Sequence, residues 1–163
     1  MNATHIHLLV NHLAIVGTIL GGFVLLYGLL VKSTHTQISA YGLFVISSLG
    51  AVITYLTGEP AEESVEHLAG VSENIIEQHE DFSVFALISL IALGIASIFA
   101  LYSNAKKLHW ANSIAKTTFV LCIISFALIA RTGYLGGMIR HSEINSKATS
   151  QEPKIVNEVE DDD

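Results

Sequence analysis

Chemistry in this chain would be done by imidazole and carboxylate, because those are the reactive groups it gathers. It has 163 residues with eight histidines and 15 acidic side chains. The stretch from Thr57 to Asp81 holds Glu59, Glu62, Glu63, Glu66, Glu73, Glu77, Glu80 and Asp81, together with His67 and His79, and no lysine or arginine. No carboxylate precedes that stretch and none follows it before Glu143. Imidazole nitrogen suits zinc, copper, iron and nickel, and carboxylates can complete such a site. The pattern points to a transition-metal site, with His12, Glu59, His67, His79, Glu80 and His141 as candidate ligands.

These candidates differ in what singles them out. Asn11-His12 interrupts an otherwise apolar run, and polar residues inside a membrane span are costly and usually partnered. His79 stands just before another apolar run, and His141 just after the last one, behind Arg140. Glu63 and His67 are four residues apart and share a helix face, but the spacing matches no defined zinc motif such as HExxH. His5 and His7 read as residues of a loose terminus, and His67 reads equally well as a solvated loop residue. Most of the glutamates read as a solvated face, with Glu59 and Glu80 set apart by lying at span boundaries.

Two further groups bear on the site. Arg131 is expected to form a structural ion pair with Glu59, Glu62 or Glu80, folding the acidic loop over the bundle mouth; the simpler alternative is snorkelling to the interface. Gly17, Gly21 and Gly22 include a GxxxG at Gly17–Gly21, which lets helices approach closely in lipid or leaves room for a flat cofactor. Catalysis has no comparable signal. No Ser/His/Asp or Cys/His arrangement, phosphate-cradling loop or Walker motif is present, and paired carboxylates lack the carved soluble domain a glycosidase would need.

The elements that must position these residues are membrane helices. The chain is 51% hydrophobic and 14% charged, with mean hydropathy +0.53, against about 25% charged residues in soluble domains. Four apolar runs, about 8–31, 38–56, 82–102 and 110–130, each match the roughly 20 residues that cross about 30 Å of hydrocarbon. In lipid the backbone must satisfy its own polar groups, so each run predicts a helix. The fold expected is an all-α, polytopic membrane four-helix up-and-down bundle. No secretory signal is visible, so the first span is expected to be retained. No internal repeat is convincing. Cys122 lies in an apolar run and reads as a packing residue. Asn2-Ala3-Thr4 fits the glycosylation pattern only weakly.

The connections set the orientation. Lys32 and His35 lie between spans one and two, and Lys106, Lys107 and His109 between three and four. Basic short loops stay in the cytoplasm, so both termini and the 57–81 loop are expected on the outer side, the periplasm of a bacterial inner membrane. Up-and-down order then brings His12, His79 and His141 to one rim. Within the loop, Pro60–Ala69 predicts a short amphipathic extramembrane helix, Ser72 a cap, and Glu73 the start of helix three. Residues 144–163 end in EVEDDD and predict a disordered acidic tail.

The segments NHLAIVGTILGG, TGEPAEE, EQHED and RTGYLGGMIRH together resemble a family of small uncharacterised four-span bacterial membrane proteins, loosely similar to cytochrome b561-like bundles. The resemblance spans about residues 8–143 and points to His12, His79 and Gly136-Gly137. It implies a redox or haem role, with one haem b at the outer end held by two of His12, His79 and His141. It does not extend to a two-haem path, because histidines do not pair at both depths.

The function expected is therefore a multi-pass membrane protein with a His/Glu-rich metal or haem site at its outer end, an accessory or subunit in metal handling or electron transfer. The alternative is a cofactor-free structural subunit whose acidic mouth binds a partner or cations. Partners expected are the lipid bilayer and other membrane or periplasmic proteins; no basic footprint for nucleic acid is present. A small transporter is the weakest reading, since the span interiors lack ionisable groups.

Overall fold

A computed structural model describes residues 3–58 and 73–149, with side chains described for residues 5–58 and 73–139. Among these residues there are four helices and no strand: α1 (Ala3–Leu30), α2 (Thr34–Leu56), α3 (Glu73–Ala105) and α4 (Ala111–Thr149). All four are long and apolar enough to cross a membrane. Both prolines, Pro60 and Pro153, lie outside them, so nothing removes an amide donor from a helix interior. The expected all-α four-helix bundle is what the chain forms. The Pro60–Ala69 segment, with Glu59, Glu62, Glu63 and His67, lies outside the described residues. The fourth helix runs past the apolar run ending at Ala130 and through 144–149, the first part of the expected tail.

Each helix packs against its neighbour in chain order, and α4 closes on α1 to complete a ring. The side chains are sorted as lipid requires. Leu9, Phe23, Leu30 and Leu56 point outward at 65–72% exposure, while Thr18, Ser47, Ser97, Ser103, Thr118 and Ser125 are fully buried. Lipid is as apolar as leucine, so helices associate through close packing of small residues rather than by hiding large apolar ones. Most of the inward hydroxyls are satisfied at no cost to a neighbour. Thr18 donates to the Ala14 carbonyl, Ser47 to Leu43 and Ser97 to Leu93, each within its own helix. Gly17 and Gly21 serve packing: Gly17 faces Ser47, and a Cβ at residue 21 would stand 2.6 Å from Phe44 Cε1.

The two hairpins, α1–α2 and α3–α4, are built alike, which corrects the expectation that the chain has no repeat. Buried or site positions of α1 recur 72 residues later in α3: His7 and His79, Ala14 and Ala86, Gly21 and Leu93, Leu25 and Ser97. Those of α2 recur 78 residues later in α4: Phe44 and Cys122, Ser47 and Ser125, Thr54 and Thr132, Gly58 and Gly136. The turns match as well. Ser33 N–H donates to Gly28 O and Leu108 N–H to Ser103 O, both at 2.9 Å. The residue before each donor, Lys32 (φ 53°) or Lys107 (φ 51°), is left-handed. That is the helix-ending motif in which the left-handed position is usually glycine. Each arm of the second hairpin is longer by about one turn: 25 residues separate His7 from Lys32 but 28 separate His79 from Lys107. Side by side in the ring, the hairpins form a parallel repeat about the bundle axis. Few residues are identical between the copies, so the likeness appears only once burial marks which positions correspond.

Candidate functional site at the outer end

The outer end is the end away from the two lysine turns. There, α1 and α3 begin, α2 ends and α4 leaves its apolar run. His7 on α1 has Nδ1 2.9 Å from the Thr54 carbonyl on α2. His79 on α3 has Nδ1 3.0 Å from the Thr132 carbonyl on α4. A carbonyl only accepts, so Nδ1 carries the proton in both rings, and in the neutral form Nε2 holds the lone pair. These are one contact made twice, once per hairpin. A glycine follows each threonine by four residues. A Cβ at Gly58 would lie 3.7 Å from His7 Cε1, and one at Gly136 would lie 3.1 Å from His79 Cε1. The threonines' hydroxyls turn back into their own helices, Thr54 to Gly50 O and Thr132 to Leu128 O. Ile76 and Leu135 are buried at the same end. The two imidazoles are close enough to act on each other electrostatically, and Glu80 also acts on His79.

The expected site residues separate. His79 on α3 lies against α4, its Nδ1 at the Thr132 carbonyl. Glu80 is its exposed chain neighbour. His12 does not converge on them. It is exposed, beside the outward Leu9, Leu13 and Val16, and its Nδ1 lies 2.6 Å from the Leu8 carbonyl of its own helix. Five residues turn a helix by about 500°, a net rotation of roughly 140°, so the face that carries His7 inward carries His12 outward. The polar interruption in the run is thus satisfied locally. His141 lies on α4, but its side chain is outside the described ones, as are Glu59, Glu62 and His67.

Arg131 is not paired with a carboxylate among the described residues. Its guanidinium carbon lies 5.4 Å from the Phe82 ring centroid and 5.7 Å from that of Tyr134; Glu59 and Glu62, two of its three expected partners, lie outside the described residues. Gly136 and Gly137, taken together in the sequence, are unlike: Gly136 meets His79, whereas a Cβ at Gly137 would meet nothing within 4 Å.

His7, Thr54 and Thr132 were not evident from residue type. The signal that finds them is the spacing Thr-x-x-x-Gly, at Thr54–Gly58 and again at Thr132–Gly136, each copy paired with a histidine at the start of the preceding helix. Among the described residues no group of three or more His, Cys, Asp or Glu side chains is placed to hold a metal ion. The two described imidazoles tied to a neighbouring helix are those of His7 and His79.

Comparison with protein-family models, with curated proteins and with solved structures finds no match for this chain.

Proposed function

We propose that this multi-pass membrane protein holds a transition metal or haem b at its outer, periplasmic end, with His7 and His79 as imidazole donors, and serves as an accessory or subunit in metal handling or electron transfer. One observation carries the reading: the same histidine contact occurs in both hairpins, and in each the Nδ1–H is committed to a backbone carbonyl. Metal-binding histidines characteristically donate their other ring N–H to such a partner, which fixes the tautomer and aims the free nitrogen. Glu59, Glu62, His67 and His141 are the residues available to complete coordination, and Glu80 is a neighbouring charge. The resemblance to small four-span bacterial proteins is consistent with this role. A bound metal or haem iron would supply electron transfer or a binding point for an exogenous ligand; the chain's part is to orient two rings across the bundle mouth.

The orientation proposed places Lys32, Lys106 and Lys107 in the cytoplasm. Two of these lysines occupy left-handed positions that favour glycine, so a charge is kept there against a steric cost. A reporter enzyme fused after Asp163 should be active only on the periplasmic side; cytoplasmic activity would reverse the assignment.

A second reading has its own support. Both histidine bonds already tie neighbouring helices, and the described residues gather no third donor. A cofactor-free structural subunit with an acidic mouth needs nothing more. The two readings part on protein purified from its own membrane. A reduced-minus-oxidised spectrum reports haem and elemental analysis reports metal, and either should disappear in the His7→Ala, His79→Ala double variant. A wild-type protein empty by both measures would leave the structural subunit.

A further inference from the structure

We infer that Arg131, held by Phe82 and Tyr134, binds the phosphodiester of a phospholipid in the outer leaflet. Depth is the first argument. From Ala111, at the inner turn, α4 rises about 30 Å to Arg131, the thickness of the hydrocarbon layer, so the guanidinium stands level with the outer headgroups. Direction is the second. Arg131 is exposed on the bundle's lipid side, and its neighbour Tyr134 is 59% exposed. The third is presentation. Phe82 and Tyr134 lie 5.4 and 5.7 Å from the guanidinium carbon on α3 and α4, and Phe85 braces Phe82 edge-on at 6.5 Å. Stacked rings hold a planar cation while leaving its N–H edge open, and that edge matches two phosphate oxygens. Tyr134 adds a phenol suited to the same layer.

The repeat isolates this feature. At the corresponding positions of the first hairpin stand Val10, Ile53 and Leu56 in place of Phe82, Arg131 and Tyr134. That hairpin has neither a cation nor an aromatic ring at these three positions, so the cluster is not a requirement of hairpin closure. Its chemistry, an exposed cation at headgroup depth beside two aromatic rings, fits an anionic oxygen pair arriving from the lipid side.

The test uses the full chain, which contains only two arginines, Arg131 and Arg140. Protein labelled with 13C at arginine Cζ is reconstituted into phosphatidylglycerol vesicles in phosphate-free buffer. Carbon–phosphorus dipolar recoupling should show an arginine carbon next to lipid phosphorus, and the signal should vanish in Arg131→Gln. Tightly retained lipid, counted by native mass spectrometry, should fall about five-fold in Arg131→Gln and in Phe82→Leu/Tyr134→Leu, the effect of losing about one interfacial cation–phosphate contact. The double aromatic variant keeps the charge and so covers a failure of Arg131→Gln to fold. Absence of recoupling in the wild type would overturn the inference. An equal signal from inorganic phosphate in phosphorus-free detergent would reassign the site to free phosphate and overturn the lipid source.

Discussion

His79 lies against Gly136 with so little room that a Cβ at residue 136 would stand 3.1 Å from its Cε1 and 3.4 Å from its Nδ1. The ring fills the notch left by the missing side chain, and the notch sits one turn beyond Thr132, whose carbonyl accepts the hydrogen bond from its Nδ1–H. Gly136→Val should push the imidazole off the Thr132 carbonyl. The hydrogen-bonded Nδ1–H signal of His79 in 15N spectra should be lost, and stability should drop by about 1–3 kcal/mol, the usual range for overpacking. Gly137→Ala, where nothing lies within 4 Å, should keep the signal and be neutral or stabilising by up to about 1 kcal/mol. Equal effects at 136 and 137 would refute the contact.

The two histidine ties should behave as a pair and His12 should not. Removing either hydrogen bond, by His7→Ala or His79→Ala, should cost about 0.5–1.5 kcal/mol whether or not anything is bound. If a metal is held as proposed, added metal should raise the melting temperature of the wild type and not of either variant, because only a ligand that binds the folded state stabilises it. His12→Ala should retain that response and stay within about 0.5 kcal/mol of wild type. Loss of the metal response in His12→Ala alone would return His12 to the ligand set.

Lys32 and Lys107 carry a conformational cost in exchange for their charge. A left-handed residue with a side chain costs about 1–2 kcal/mol, and glycine gives back about 0.5–1 kcal/mol of that through its greater unfolded freedom. Lys32→Gly and Lys107→Gly should therefore each stabilise the bundle slightly, by about 0.5–1 kcal/mol, in detergent unfolding. The double variant should also insert less uniformly, with the reporter after Asp163 divided between the two sides of the membrane. Uniform insertion would mean that Lys106 and Lys116 suffice.

The first hairpin is closed by a fit between Gly21 and Phe44, a side chain with no exposed surface. Gly21→Leu must displace the ring or separate α1 from α2, at an expected cost of about 1–3 kcal/mol, measured as a lowered midpoint of thermal unfolding in mild detergent. Gly42, around which nothing lies within 4 Å, is the matched control. Gly42→Ala should be neutral or stabilising by up to about 1 kcal/mol.

Much of this architecture could be read before any coordinates. Apolar runs of spanning length leave the backbone no option but helix, and the only two prolines fall outside them. Lys32 and Lys107 sit where turns must be, so the depth of every residue along its helix follows from counting 1.5 Å per residue. His79 and Gly136 were thereby assigned to the outer end, and Gly17 and Gly21 to a helix contact.

Counting gives depth but not direction. Each step along a helix turns the side chain by about 100°, and which of those directions is inward depends on where the other three helices stand. His7 and His12 are less than two turns apart in depth, yet one reaches the Thr54 carbonyl and the other folds back onto Leu8. Arg131 follows the fourth apolar run in the sequence, and only the packing of α3 on α4 brings Phe82 to it. The repeat was hidden for the same reason: it resides in which positions are buried, at 72- and 78-residue offsets, and burial is a property of assembled helices. The sequence by itself determined that this is a four-span membrane protein and at which end its reactive groups collect; the tertiary structure decided which of them face one another, because azimuth is fixed by neighbours and not by the chain.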